Sequence, residues 1–187
     1  MDVHCLDGKS VRIQMKNLIY LSILLALASC DFEQDPNLNT EGKNILETNE
    51  VYIDVKELVW QDTVYVPIYS HIYSRSKKVE FFLTATLSIR NTSLTDSIYI
   101  EDIDYYDTNG KLIRKYLDKV LLLHPMQSIE YVIEEEDKAG GAGANFMVYW
   151  GADTSQLKPV FQGVMISVNG QQGVAFRTDG ISTSQRE

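Results

Sequence analysis

The sequence predicts an all-β fold: an antiparallel β-sandwich, immunoglobulin-like in architecture, with about 8–10 strands. Three observations predict it. From Val51 onward, apolar and polar side chains alternate with period two, and Val, Ile, Thr, Tyr and Phe dominate the alternating stretches. Two Asn-Gly pairs, Asn109-Gly110 and Asn169-Gly170, each lie between two such stretches, and Asn-Gly tolerates the positive φ that tight hairpins require. Beyond an apolar run near the N-terminus, no window carries a helical stripe.

The strands follow in order. In 51–56, Val51, Ile53 and Val55 alternate with Tyr52, Asp54 and Lys56. A strand over 63–69 is followed by a long one over 79–90, in which Leu83, Ala85, Leu87 and Ile89 form an apolar face. In 97–106 the phase slips: Ile98 and Ile100 share one face, Ile103 and Tyr105 the other, which predicts a β-bulge near Glu101-Asp102. The segments 111–117, 119–124 and 128–135 follow, the last with Ile129, Tyr131 and Ile133 turned inward. Strands over 145–150 and 159–168 come next, and 172–178 closes an edge.

The N-terminus has a different character. Lys9, Arg12 and Lys16 make a positive leader, Leu18 to Leu27 an apolar core, and Ala26, Ala28 and Ser29 supply small residues before Cys30. The core is about half the roughly 20 residues of a membrane-spanning helix. The run Leu27-Ala28-Ser29-Cys30 resembles the lipobox of bacterial lipoproteins, which implies acylation of the Cys30 thiol and cleavage just before it. Met15 reads as a translation start as readily as Met1. The expected organisation is a signal peptide over 1–29, a lipidated Cys30 with a disordered acidic tether to residue 50, and one sandwich domain over 51–187. Cys5 falls in the leader, so Cys30 is the sole thiol of the mature chain and no internal disulfide can form. Several acyl chains would hold it stably at a membrane. Acidic residues after Cys30 fit retention at the inner membrane, export to the cell surface or a plain solvated linker, so the expected location is the cell envelope, at either membrane.

The chain carries 17 basic and 26 acidic residues, a formal charge of −9. That balance excludes nucleic acid as a partner and disfavours adhesion to anionic lipid. The expected partners are the membrane, through Cys30, and an envelope protein or ligand.

Several segments together resemble a known family. Val64-Tyr65-Val66-Pro67 leads into Tyr69-Ser70-His71-Ile72-Tyr73; Thr84 to Thr92 follows; then Tyr105-Tyr106-Asp107 with Gly110-Lys111, the run Gly140 to Phe146, and Trp150. In this order they resemble the bacterial envelope proteins catalogued as domain of unknown function 3124, over nearly all of 63–178. The resemblance implies secretion or lipidation and a compact domain, and names no substrate or catalytic residue.

Candidate chemistry is sparse. His71, flanked by Tyr69 and Tyr73, is a candidate base, metal ligand or ligand contact; the only other mature histidine, His124, sits at a Pro turn. Gly140-Gly141-Ala142-Gly143 lacks P-loop spacing and reads as a tight turn, with Asn145 bracing it or touching a ligand. Glu135 and Asp137, in the run Glu134 to Asp137, are candidate calcium ligands, against a solvated charge run, which is the leading reading. Asp102, Asp104, Asp107 and Asn109 form a second acidic group without EF-hand spacing. No Gly-x-Ser-x-Gly elbow occurs. Tyr52, Tyr65, Tyr69, Tyr73, Tyr99, Tyr105 and Tyr106 are candidates for an aromatic groove, against core packing. The leading expectation is a non-enzymatic binding or scaffolding module, with no cofactor. The alternatives are an envelope hydrolase centred on His71 and a calcium-stabilised module.

Overall fold

A computed structural model describes residues 49–169 and 171–183, all within one compact unit. Among them run thirteen strands: β1 (Glu50–Val51), β2 (Trp60–Pro67), β3 (His71–Tyr73), β4 (Glu80–Phe82), β5 (Thr84–Arg90), β6 (Ile98–Tyr106), β7 (Leu112–Lys115), β8 (Val120–Leu123), β9 (Ser128–Ile133), β10 (Asn145–Ala152), β11 (Val160–Asn169), β12 (Gln172–Asp179) and β13 (Ile181–Ser182). Nine have four residues or more, within the expected number. Two 3-10 turns, Val55–Glu57 and Gly141–Gly143, are the helical elements. Among the described residues no helix is long and apolar enough to cross a membrane.

The strands form two antiparallel sheets and a small hairpin. The larger sheet runs β1-β8-β6-β10-β2-β13, with β7 also on β6; the smaller runs β12-β11-β5-β9; β3 and β4 pair only with each other. The core lies between the sheets. Leu83, Ala85, Leu87 and Ile89 are fully buried, as their alternation requires, and face Val66, Ile98, Ile103, Phe146 and Val148 of the larger sheet.

Two irregularities set the geometry. On β6, Tyr149 pairs with Asp102 and Trp150 with Ile100, so Glu101 is the extra residue of a bulge. The bulge resets the phase, and Ile98, Ile100, Ile103 and Tyr105 all end up fully buried on the core side. At the β6–β7 hairpin the turn closes by donation from the Gly110 N–H to the Asp107 carbonyl. Gly110 alone takes positive φ (+77°), and Asp107 Oδ1 accepts from the backbone N–H groups of Asn109 and Lys111. This is a three-residue hairpin with a glycine bulge, not the two-residue form that Asn-Gly suggests.

Three boundaries depart from the sequence reading. The segment 51–56 leaves the sheet after Val51, because Asp54 Oδ1 accepts from the Lys56 N–H at 3.0 Å and starts a 3-10 turn. The stretch 79–90 breaks at Leu83, whose N–H donates to the Ser70 carbonyl as the chain passes from β4 to the smaller sheet. Asn169 is the last residue of β11 and pairs with Gln172, so the turn falls one residue later than Asn169-Gly170 implies.

Candidate functional site

One end of the sandwich is open where the chain changes sheets. Strand β12 ends at Asp179 in the smaller sheet and β13 begins at Ile181 in the larger one. Gly180 makes the crossing, its N–H donating to the Phe161 carbonyl at 2.8 Å. Beside it lies a cleft of about 480 Å³, within the range of small-molecule sites (roughly 300–1,000 Å³).

The register of β2 and β10 builds its floor. Trp60 pairs with Ala152, Asp62 with Trp150 and Val64 with Val148, so Trp60 and Asp62 share the inward phase of the core residue Val64. Trp150 is 4% exposed and its ring centroid lies 5.9 Å from that of Phe161, the rings tilted by 43°. Its indole N–H has no partner among the described residues. Asp62 is 9% exposed, and its Oδ1 accepts from the Thr63 N–H (2.7 Å) and the Ser182 hydroxyl (2.8 Å). Its Oδ2 has no hydrogen bond among the described residues. The loop before β11 adds Ser155, Leu157 and Lys158, and Gln162 Nε2 donates to Asp179 Oδ1 at the rim, 2.8 Å apart. The chain has two tryptophans, and both line this cleft.

The residues nominated by sequence are dispersed. His71, Tyr69 and Tyr73 lie in or next to the β3–β4 hairpin. His71 is 13% exposed at its side chain, packs edge-on to Tyr73 and Phe82, and has Nε2 3.8 Å from Glu80 Oε1, outside hydrogen-bond range. Tyr69 packs against Phe176 instead, and Tyr73 is exposed. The neighbouring Ser70 hydroxyl is buried against the Tyr105 hydroxyl at 3.2 Å, so it is not presented as a nucleophile beside His71.

The Gly140–Gly143 run is a 3-10 turn, and Thr108 braces it rather than Asn145. Thr108 Oγ1 donates to the Gly140 carbonyl at 3.0 Å and accepts from the Gly143 N–H at 2.9 Å. Asn145 opens β10 between Pro67 and Tyr106, and no side-chain hydrogen bond of it occurs among the described residues.

The acidic groups serve local structure. Asp137 Oδ2 accepts from Arg114 Nη2 at 2.9 Å and its Oδ1 from the Ala139 N–H, while Glu135 stands exposed. Asp102 and Asp104 share Lys115, whose Nζ lies 3.0 Å from Asp104 Oδ1 and which is held protonated by both carboxylates. Burial, with the hydrogen bond to Asp104, pushes the Tyr106 hydroxyl up to about 12. Burial likewise pushes Tyr131, whose hydroxyl has no partner among the described residues, up to about 12. Asp107 is held low by the Lys111 N–H that its carboxylate accepts. Among the described residues, no three His, Cys, Asp or Glu side chains group as a metal site.

The tyrosines do not form one groove: Tyr105 is core, Tyr52 is exposed against Lys119, and Tyr99 reaches Asp153. Cys30 lies outside the described residues. Sequence reasoning passed over Asp62 and Trp60. The signal was present, since a carboxylate in phase with Val64 and Val66 is a charge at a core-facing position.

A likeness exists to a solved structure titled "Crystal Structure of Thermotoga maritima 1070", at 12% identity and a TM-score of 0.37, covering 64% of this chain and 92% of that one. No curated protein matches. The family model described as "Protein of unknown function (DUF3124)" matches residues 61–182, a span that takes in the cleft residues from Asp62 to Ser182 and starts just after Trp60. The chain therefore belongs to the DUF3124 family.

Proposed function

We propose that this chain is a lipid-anchored binding module of the bacterial cell envelope, tethered through Cys30 and holding a small amphipathic ligand in the two-tryptophan cleft. The observation that carries the binding half is Asp62: a nearly buried carboxylate with one oxygen free of hydrogen bonds among the described residues, in an aromatic-walled cleft. That oxygen keeps a solvent-accessible acceptor site, and a ligand donor placed there would make a charge-assisted hydrogen bond. The anchor half rests on the leader, the apolar run and Leu27-Ala28-Ser29-Cys30. Residues 31–48 would hold the domain up to roughly 60 Å from the bilayer.

Both halves have direct tests. Expressed in a bacterium fed labelled palmitate, the full chain is expected to take up label and to partition into detergent, and Cys30→Ser to do neither. Label retained by Cys30→Ser would overturn the anchor. For the cleft, tryptophan emission is read while the low-molecular-weight fraction of a bacterial envelope is titrated into the detergent-solubilised full chain. Both fluorophores line the site, so a saturable shift is expected in the wild type and a much weaker one in Asp62→Ala. An equal shift in both would remove the cleft as the binding site.

A further inference from the structure

We infer that the cleft takes a neutral saccharide, with a ring face on the aromatic wall and hydroxyls on the polar rim. This rests on the reading of the cleft as a ligand site and adds the class of ligand.

The walls argue for an amphipathic ring. Trp60 and Leu157, half-buried, present apolar surface beside the largely buried Trp150 and Phe161, and the C–H face of a pyranose is apolar while its equatorial edge is polar. The charges argue for a neutral ligand. Two carboxylates, Asp62 and Asp179, line the cleft together with the ammonium-bearing Lys158. An anionic ligand would meet a carboxylate that is 9% exposed, where like-charge repulsion is least screened. A simple ammonium ligand would meet Lys158 and leave that residue's donors unused.

The unfilled groups argue for hydroxyls in particular. Asp62 Oδ2 and Asp179 Oδ2 accept nothing from the protein among the described residues, and Lys158 Nζ makes no ion pair there; Asp179 and Lys158 stand exposed to water at the rim. The site therefore offers acceptors and donors side by side. A hydroxyl both donates and accepts, so vicinal hydroxyls on one ring answer both. Hydrogen bonds to ionised groups are the stronger ones, so the contact to the nearly buried Asp62 should be worth about tenfold in affinity, and those to the exposed Asp179 and Lys158 less.

The test uses the full chain in detergent and its tryptophan emission. The probes are cellobiose, maltose and N,N′-diacetylchitobiose, with choline as the cationic and glucose 6-phosphate as the anionic comparison. At least one disaccharide is expected to shift emission saturably, with choline and the sugar phosphate inert. Asp62→Asn should weaken that binding about tenfold and Lys158→Met by a smaller, measurable factor. Lys158 is exposed, so its substitution leaves the fold intact even if Asp62→Asn does not. Saturation by choline with no response to any disaccharide would overturn the saccharide and leave the binding cleft standing. Disaccharide binding unchanged by Lys158→Met and Asp62→Asn would overturn the assignment to this cleft. A shift with the envelope fraction but none with the three disaccharides would likewise reject the saccharide class while sparing the cleft.

Discussion

Phe146→Ala should lower the stability of the domain by about 3–5 kcal/mol. Phe146 sits in β10, the strand between β6 and β2, and is fully buried. Its ring lies 5.2 Å from Tyr105 of β6 and 5.9 Å from Tyr116, which directly follows β7, so three rings meet there. Truncation forfeits the transfer free energy of the ring and opens a cavity that strands hydrogen-bonded on both sides cannot close. Domains commonly unfold at a cost of only 5–15 kcal/mol, so the loss takes a large share of the total. The urea midpoint should fall with little change in slope, which marks a loss of stability rather than of compactness. Phe146→Leu, which keeps most of the volume, should cost less than about half as much. A midpoint for Phe146→Ala matching that of exposed Val168→Ala would refute the placement of the core.

What the sequence made legible is what alternation encodes. Leu83, Ala85, Leu87 and Ile89 read as an inward face because β5 is central in its sheet, and every second residue there must be apolar. The bulge at Glu101 was legible for the same reason, since a phase slip inside a continuous strand has no other remedy. The segment 51–56 kept its faces but lost its strand. Val55 and Leu58 are both buried three residues apart, a spacing that a 3-10 turn satisfies as well as a strand satisfies i, i+2. The cleft was illegible for a further reason. Asp62 meets Ser182 across 120 positions, and local pattern carries no information about which strand end closes on which. The same limit applies to the nominated residues: His71, Asn145 and Asp137 have chemistry suited to a site, and the fold places them in β3, at the start of β10 and in the loop after β9.

Gly140→Ala is expected to destabilise by about 3 kcal/mol, against the usual sign of such a change. Gly140 has φ −72° and ψ −37°, a conformation open to any residue, so backbone strain does not require glycine there. On conformational grounds alone Ala would stabilise by roughly 0.4–1 kcal/mol, by restricting the unfolded chain. Space decides the sign. A Cβ at this position would lie 2.0 Å from the Tyr105 hydroxyl, 2.6 Å from Ala144 Cβ and 2.9 Å from Ser70 Oγ. The Tyr105 ring is fully buried against Phe146 and cannot swing away, so the methyl must displace the Gly140–Gly143 turn or break the Ser70–Tyr105 hydrogen bond. The second route leaves the buried Ser70 and Tyr105 hydroxyls without partners, at roughly 1–3 kcal/mol, and the first pulls the turn off the Thr108 hydroxyl that braces it. The double variant Gly140→Ala with Tyr105→Phe separates the two causes. Tyr105→Phe alone should cost about 1 kcal/mol for the lost hydrogen bond. Combined, the pair should cost clearly less than the sum, because removing the hydroxyl removes the closest contact. Strict additivity in thermal and urea unfolding would mean that the Tyr105 hydroxyl does not set the tolerance of this turn, and the destabilisation would then belong to Ala144 and Ser70.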